Sequence, residues 1–520
     1  MYFHFGVDRC LHARKVAIGL ALPTTKGEFV QLYKITVVRP RFLLLVLALL
    51  AGCGGSSGPN ATAPSTPAPL SARNLNLIFV VSEDLAYHAP RDVNPSTANL
   101  TNRGLQRSLR MATFLQRQVL GSKNVTGIYV LEPMTHLQTT NNHPDMAAPE
   151  TVQQFALLNH ITLPGEIPPP NVPYTGNSYP LNASYASAVP LPTGVATPAA
   201  YCPSCQGLDF SDQEGDNETL VTGIVKANVP GFYVFSAPWE TSSGLMANIN
   251  KLEGYNLTLP ASYAGPNYIY AISIAPSGNA SLVTFNTNLH PPSTYPVLPS
   301  PPPVSTPCAM QSPSVTIEVP DAYASAVIPE NINKNETLYI IRHADAHPQP
   351  YWSDGNYVCA GQWRALDLPN ALRGKISPQQ VYSSDPAQIS PGFENPWSGV
   401  APSLTVEPYA IANNLPYDLA ASFDATSAQA TSEFFFNNDT FSGKTVLLAW
   451  SYQFIKPTVD SLISSYFQPN ASPTAAPAWP PDDYDTVWKV TLDAEGNLTV
   501  NNATCEGIDS AALPATCPGF

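Results

Sequence analysis

Two neighbouring residues, Arg342 and His343, stand where an apolar run ends in the stretch LYIIRHADAHPQP (338–350). A guanidinium is planar, always charged and grips anions through paired N–H bonds, while an imidazole can serve as nucleophile, acid or base near neutral pH. Side by side they suit chemistry on an anionic group, although a charged turn would carry the same dipeptide. Other polar residues follow along the chain. AGQWRAL (360–366) supplies Arg364, VYSSDPAQ (381–388) supplies Asp385 and Gln388, EPYAIANN (407–414) opens on Glu407, and LLAWSYQF (447–454) contains Ser451 and Tyr452. Asp345, His347 and Arg373 lie nearby in sequence.

The elements that must position these residues occur twice. NLIFVVSEDLAYHA (76–89) and TLYIIRHADAHP (337–348) are short apolar runs rich in β-branched and aromatic residues, which predicts buried strands. LTNRGLQRSLRMATFL (100–115) and CAGQWRALDLPNAL (359–372) each place a Gly in a helical pattern with Arg three residues later. GIYVLEPMTHLQT (127–139) pairs with QVYSSDPAQIS (380–390), and QQFALLNH (153–160) with EPYAIANN. GFYVFSAPWE (231–240) matches TVLLAWSYQF (445–454), a strand entering a helix. YIYAISIAPSGNASLVTF (268–285) matches TVWKVTLDAEGNLTV (486–500), alternating hairpins with Gly-Asn at the turn. Six matches in one order predict two tandem copies of an α/β domain, each a three-layer fold with a mostly parallel sheet. Ligands of such sheets bind beyond the carboxyl ends of strands, where Arg342-His343 sits.

Composition narrows the function classes. The chain has 520 residues, 55 of them proline, and only 12% are charged. Net charge is −14; the segment before Cys53 holds seven Lys/Arg and two acids, so its removal leaves −19. A surface this acidic repels nucleic acid. RPRFLLLVLALLAGC (39–53) sets a basic flank before an apolar stretch too short to span a bilayer, and its last residues resemble a bacterial lipobox. Residues 1–52 therefore read as a lipoprotein-type signal, Cys53 as the lipidated residue and 53–73 as a flexible tether. Six further cysteines past Cys53 suit an oxidising compartment. Cys505 with Cys517 is the expected local pair, stapling a loose tail, and Cys202 with Cys205 the expected loop disulfide, since no second pair or histidine completes a zinc site.

The second copy resembles the histidine phosphatase superfamily, the phosphoglycerate-mutase-like proteins. IIRHADAHP stands for the Arg-His-Gly-type motif, AGQWRAL for the Gly-x-x-Arg/Gln-Ala helix and VYSSDPAQ for the second strand with its Ser-Pro turn. The resemblance implies His343 as nucleophile forming a phosphohistidine, Arg342 as first phosphate clamp, and Glu407, Asp345 or Asp385 as the acid. It also exposes gaps. Gln388 stands near the family's second arginine, and Ser451 and Tyr452 stand where its second histidine would be. Arg364, Arg373 or His347 could compensate, with Arg364, Gln388 and Tyr452 as the expected binding set. In the first copy, alignment of IFVVSED with LYIIRHA sets Ser82-Glu83 at the Arg-His positions, and His136 and Glu132 fall on its second strand turn.

The expected layout is a degenerate domain over 74–290 with a Pro-rich insertion at 164–205, a Pro-rich linker at 291–315, a second domain at 316–506 and a tail at 507–520. The expected function is a lipid-anchored cell-envelope protein, outer-membrane and facing the periplasm or the surface. Its paired domains bind or scaffold; the alternative is a phosphomonoester phosphatase using His343. No metal or other cofactor is expected. The expected partners are the membrane, through the anchor, and a phosphorylated small molecule; the sequence names no protein partner.

Overall fold

The computed structural model describes residues 67–83, 91–132, 143–158, 208, 210, 215–299, 308, 315–320, 326–346, 356–384, 400–420, 427–468, 473 and 475–520. The expected lipidation site Cys53, the insertion at 164–205 with Cys202 and Cys205, and His136, His347, Asp385 and Gln388 lie outside them.

The first sheet is built from β1 (Leu75–Ser82), β2 (Gly127–Val130), β3 (Gly231–Pro238), β4 (Tyr268–Ile274) and β5 (Ala280–Asn286), in the order β2-β3-β1-β4-β5. Its helices are α1 (Asn102–Phe114), α2 (Ala147–Leu157), α3 (Asp216–Ala227) and α4 (Trp239–Leu252). Every residue of β1 is buried, as a central strand of LNLIFVVS composition requires. Alternation then sorts its side chains. Ile78 and Val80 pack with Met111 and Leu115 around α1 and with Phe155 of α2; Leu77, Phe79 and Val81 pack with Val221 of α3 and Leu245 of α4.

The second sheet contains β6 (Thr316–Val319), β7 (Glu336–Arg342), β8 (Gln380–Ser384), β9 (Tyr417–Ala420), β10 (Thr445–Trp450), β11 (Thr486–Leu492) and β12 (Leu498–Cys505). Its order is β6-β12-β11-β7-β10-β8-β9. The stretch β8-β10-β7-β11-β12 follows the same chain-order pattern as the first sheet, and β6 and β9 add one edge strand on each side. Its helices are α5 (Cys359–Ala371), α6 (Ala401–Asn413), α7 (Ala428–Phe436) and α8 (Tyr452–Ser465). Tyr339 and Ile341 meet Leu368 of α5 and Val406 of α6, while Leu338 and Ile340 meet Phe435 of α7 and Ile455 of α8.

The sheets are mixed rather than mostly parallel. β1, β2 and β3 pair in parallel, as do β7, β8, β9 and β10. All contacts of β4, β5, β6, β11 and β12 are antiparallel. The two hairpins cause this, because a tight turn can only return the chain antiparallel. Both turns use Gly-Asn, with φ of +85° at Gly278 and +95° at Gly496.

The two lobes share a core. Leu105 and Leu109 of α1 and Ala147 of α2 join Ala360, Trp363 and Leu366 of α5 and Ile411 of α6 in one apolar cluster. Helices covered by their own sheet on one side and by the other lobe on the other lose the polar stripe of a surface helix. In α2 every residue but Thr151 is buried, and in α5 every residue but Asn370. The Tyr357 hydroxyl meets Gln153 Oε1 at 3.0 Å across this junction, and His143 Nδ1 meets Asp418 Oδ1 at 2.6 Å. The described start of the predicted linker, 291–299, is docked here too, since Tyr295 donates to the Leu366 carbonyl at 2.8 Å and Leu298 enters the shared cluster.

The cysteine pairing differs from the expectation. Cys505 bonds Cys308 and Cys517 bonds Cys359, closing separations of 197 and 158 residues. The tail is not loose. Trp363 Nε1 donates to the Thr516 carbonyl at 2.7 Å and Gln154 Nε2 to Pro518 at 3.3 Å, which carries Cys517 to the first residue of α5.

Glu336 opens β7 with a side chain 1% exposed, one oxygen accepting from Asn333 Nδ2 at 2.8 Å and the other without a partner. Burial pushes its carboxyl up to about 8, against the weaker pull of Asn333 and Lys444. The native state therefore holds a proton that the unfolded chain releases near its ordinary value. Stability from this group is present below that value and lost as pH rises towards 8, at up to about 1.4 kcal/mol per pH unit. Glu336→Gln keeps the acceptor and removes the titration. Urea unfolding between pH 5 and 8 should show a flatter profile for the variant, and parallel profiles would refute the assignment.

Candidate active site

The parallel pairing of β7 with β10 extends one step past Arg342, because His343 N–H donates to the Trp450 carbonyl at 2.9 Å. Ala344 N–H then donates to Thr405 Oγ1 of α6 at 2.7 Å, and that hydroxyl is itself fixed on the Ala401 carbonyl at 2.7 Å. These bonds hold the Arg-His pair at the carboxyl end of a central strand.

Arg342 is 3% exposed, and its guanidinium lies within cation–π distance of two rings. Its Cζ is 4.5 Å from the Tyr452 ring centroid and 3.6 Å from that of Tyr484. Nη1 donates to the Pro481 carbonyl, and Nε is buried without a partner. These two cation–π contacts hold the group in place. His343 is partly buried, its ring 6.1 Å from Tyr484 in an edge contact. Nδ1 lies 2.8 Å from the Ala344 carbonyl, which can only accept, so Nδ1 carries the proton and Nε2 presents its lone pair. Burial, followed by Arg342, pushes the imidazole down to about 3, with Ala344 and Asp345 opposing. The ring is neutral at pH 7.

Arg364, the second expected cation, serves a different purpose. It is fully buried, with Nε on Asp345 Oδ2 and Nη1 on Glu506 Oε2, both at 2.6 Å. Nη1 also reaches the Tyr484 carbonyl at 3.3 Å, and Nη2 the Ile508 carbonyl and Ser510 Oγ at 2.9 and 2.8 Å. Burial pushes the Glu506 carboxyl up, and the guanidinium pulls against it. The Gly three residues earlier explains the motif. A Cβ on Gly361 would fall 2.3 Å from the carbonyl oxygen of Asp345, the residue whose carboxylate holds Arg364. The first lobe repeats the corner: a Cβ on Gly104 would lie 2.3 Å from the Asp92 carbonyl oxygen, and Arg107 Nε donates to Asp92 Oδ2.

Strand register revises the match between the lobes. In β1 the residue opposite Pro238, which immediately precedes α4, is Ser82. The corresponding residue before α8 is Ser451, one step past the Trp450–Arg342 pair and so opposite His343. Side-chain alternation agrees, since Ile78 and Val80 face the same helix pair as Tyr339 and Ile341. Val81 thus occupies the Arg342 position and Ser82 the His343 position, with Glu83 one residue beyond; the alignment on Ser82-Glu83 is off by one.

The remaining candidates are scattered. Glu407 lies on α6 with no exposed surface, and neither carboxylate oxygen has a hydrogen-bond partner. Arg373 is exposed and bonded to Asn370 Oδ1 at 2.8 Å, while Glu132 is buried just past β2. Cys308, Asp485 and Cys505 bring ligand-type atoms within 4.8 Å of one another, but the two sulfurs are joined to each other and are not free to bind a metal. Tyr484 and Pro481 went unrecognised in the sequence. The only available signal was PPDDYD (480–485) ahead of a hairpin, which reads as turn chemistry.

No family model matches the chain, and no curated protein matches it. Among solved structures, a protein assigned as phosphohistidine phosphatase SixA from Agrobacterium tumefaciens is similar at 14% identity and a TM-score of 0.19, covering 31% of this chain and 92% of its own. One assigned as SixA from Nakamurella multipartitia is similar at 15% identity and a TM-score of 0.20, covering 36% and 93%.

Replacing Arg364 by Met should leave Asp345 and Glu506 buried and uncompensated, costing about 3–5 kcal/mol in chemical unfolding. Arg364→Lys should recover part of this, since it restores the charge without the planar fork. A loss below about 1 kcal/mol for the Met variant would mean that the ion triad does not organise this corner.

Proposed function

We propose that the chain carries two tandem histidine-phosphatase-like domains, each a three-layer fold, and that it binds or scaffolds rather than turning over a phosphoester. The observation that carries this reading is the state of Arg342. The one guanidinium beside His343 lies against the rings of Tyr452 and Tyr484, and among the described residues no second Lys or Arg replaces the missing clamps. The Lys and Arg residues between 316 and 506 can be followed individually. Arg364 is consumed by Asp345 and Glu506; Arg373 is exposed and donates to Asn370 Oδ1 at 2.8 Å; Lys375 donates to the Cys505 and Glu506 carbonyls at 3.0 and 2.6 Å; Lys456 pairs with Asp460. Lys489 lies 6.0 Å over Tyr339, Lys444 lies 5.4 Å over Phe441, and Lys334 and Lys444 sit at the amino ends of β7 and β10, away from His343. A phosphate dianion would meet a single guanidinium, whereas each lost clamp removes about 3 kcal/mol of transition-state stabilisation.

A second reading has one observation in its favour. His343 is neutral, with its Nε2 lone pair free, which is the state a phosphohistidine nucleophile requires. Hydrolysis of an aryl phosphate by residues 60–520, measured beside His343→Ala, separates the two. Binding without turnover predicts equal background rates; a wild-type rate about a hundredfold higher would establish the phosphatase.

The same proposal sets the protein in the cell envelope, held by a lipid on Cys53. The basic flank, short apolar core and lipobox-like LAGC (50–53) support it. Cys53→Ser should move the protein from the membrane pellet to the soluble fraction. Retention of the variant in the pellet would contradict the anchor.

A further inference from the structure

The first sheet ends on β5, and the phase of its hairpin sets which backbone groups face outwards. Ala275 N–H donates to the Asn279 carbonyl at one end of the hairpin and Thr287 N–H to the Asn267 carbonyl at the other, both at 2.9 Å. Ladder bonds of an antiparallel pair pass through alternate residues, so Ser281, Val283 and Phe285 bond to β4. The N–H and C=O groups of Ala280, Leu282, Thr284 and Asn286 point away from it. Among the described residues no strand pairs with that edge.

The second lobe shows what the same edge takes. Superposing the turn glycines Gly278 and Gly496 sets Ala280, Leu282 and Thr284 at the positions of Leu498, Val500 and Asn502 in β12. There β6 lies antiparallel along the edge. Leu498 is opposite Val319, Val500 is opposite Ile317, and Asn502 N–H donates to the Val315 carbonyl at 3.4 Å. Thr316 of β6 stands 20 residues ahead of Glu336, the start of β7. The same spacing ahead of β1 falls on Gly55-Ser56-Ser57-Gly58, residues of poor strand propensity. The sequence ahead of β1 therefore offers no equivalent of β6.

β5 also lacks the features that keep a free edge from pairing. ASLVTFN (280–286) carries no charge and no proline, and its register with β4 runs without a bulge. By contrast β6, an edge strand of the other sheet, is only four residues long and has an exposed Glu318. In β5, Ser281, Thr284 and Asn286 are exposed, and Ala280, Leu282 and Val283 are half-buried. Self-pairing matches this edge. About a twofold axis at Val283, Leu282 lies opposite the partner's Thr284 and Ala280 opposite the partner's Asn286. Four hydrogen-bonded pairs of two bonds each then use every outward group of the strand, and no like charges meet.

We propose that β5 is a strand-addition edge at which a second copy of the chain binds, β5 antiparallel on β5. The two five-stranded sheets become one of ten strands.

Sedimentation equilibrium of the intact chain in mild detergent tests the assignment, and a dimer is expected at about 10 μM. Thr284→Pro removes an outward N–H in each copy and spares the bonds to β4, because proline is tolerated where a strand N–H faces solvent. It should raise the dimer dissociation constant at least about tenfold, with an unchanged circular dichroism spectrum. Val283→Cys sets two sulfurs across the axis in a non-hydrogen-bonded pair, the closer kind, so mild oxidation should give a dimer on a non-reducing gel. Ser281→Cys, which the register places opposite the partner's Phe285, is the control. A wild type that stays monomeric up to about 100 μM would leave the edge to an extended segment of another protein and overturn the proposal. It also fails if folded Thr284→Pro dimerises like wild type, or if Ser281→Cys cross-links as readily as Val283→Cys.

Discussion

Each lobe is pinned at one corner where a single aspartate performs two tasks. The carbonyl of Asp92 accepts Thr101 N–H at 2.6 Å and that of Asp345 accepts Val358 N–H at 3.0 Å, so each meets the start of the following helix. The same residues offer their carboxylates to Arg107 and Arg364, one turn further along. The approach is so close that neither Gly104 nor Gly361 has room for a β-carbon. The arginine then reaches the loop leading into the hairpin, through Asn267 in one lobe and Tyr484 in the other. Strand end, helix start and hairpin entry are thereby locked together, and the position of every group at the strand end follows.

That lock bears on the difference between the two strand ends. The corner is held by buried ion pairs, where loss of one partner strands the other, so its residues are interdependent. Groups beyond it are not under that constraint. In the second lobe the strand end has a guanidinium and an imidazole, but the guanidinium is packed against two tyrosine rings. In the first lobe the same positions hold Val81 and Ser82. Arg364 was expected at the ligand and lies in the corner, which illustrates how an arginine near a motif can stabilise the scaffold instead of a substrate.

Element order, helix and strand identity and the hairpin turns were legible in the sequence because they rest on local periodicity and on glycine's access to positive φ. Arg342-His343 at the end of β7 was legible for the same reason. Partners distant along the chain were not. Cys505 lies closer in sequence to Cys517, yet it meets Cys308, because the tail carries Cys517 across to α5. The register error at Ser82 arose in the same way. A one-residue slip preserves an apolar pattern in a strand buried on both faces, and only pairing with β3 and β10 distinguishes the alternatives.

The sequence by itself determined an acidic composition, two sets of α/β elements with a Gly-x-x-Arg helix in each, and an Arg-His pair at a strand end. Those properties are written in residue types a few positions apart. The tertiary structure alone decided what the charges do. It set Arg364 between Asp345 and Glu506, packed Arg342 against Tyr452 and Tyr484, and left His343 neutral with its outer nitrogen free. A charge acts through whatever lies within a few ångströms of it, and folding rather than sequence spacing sets those neighbours.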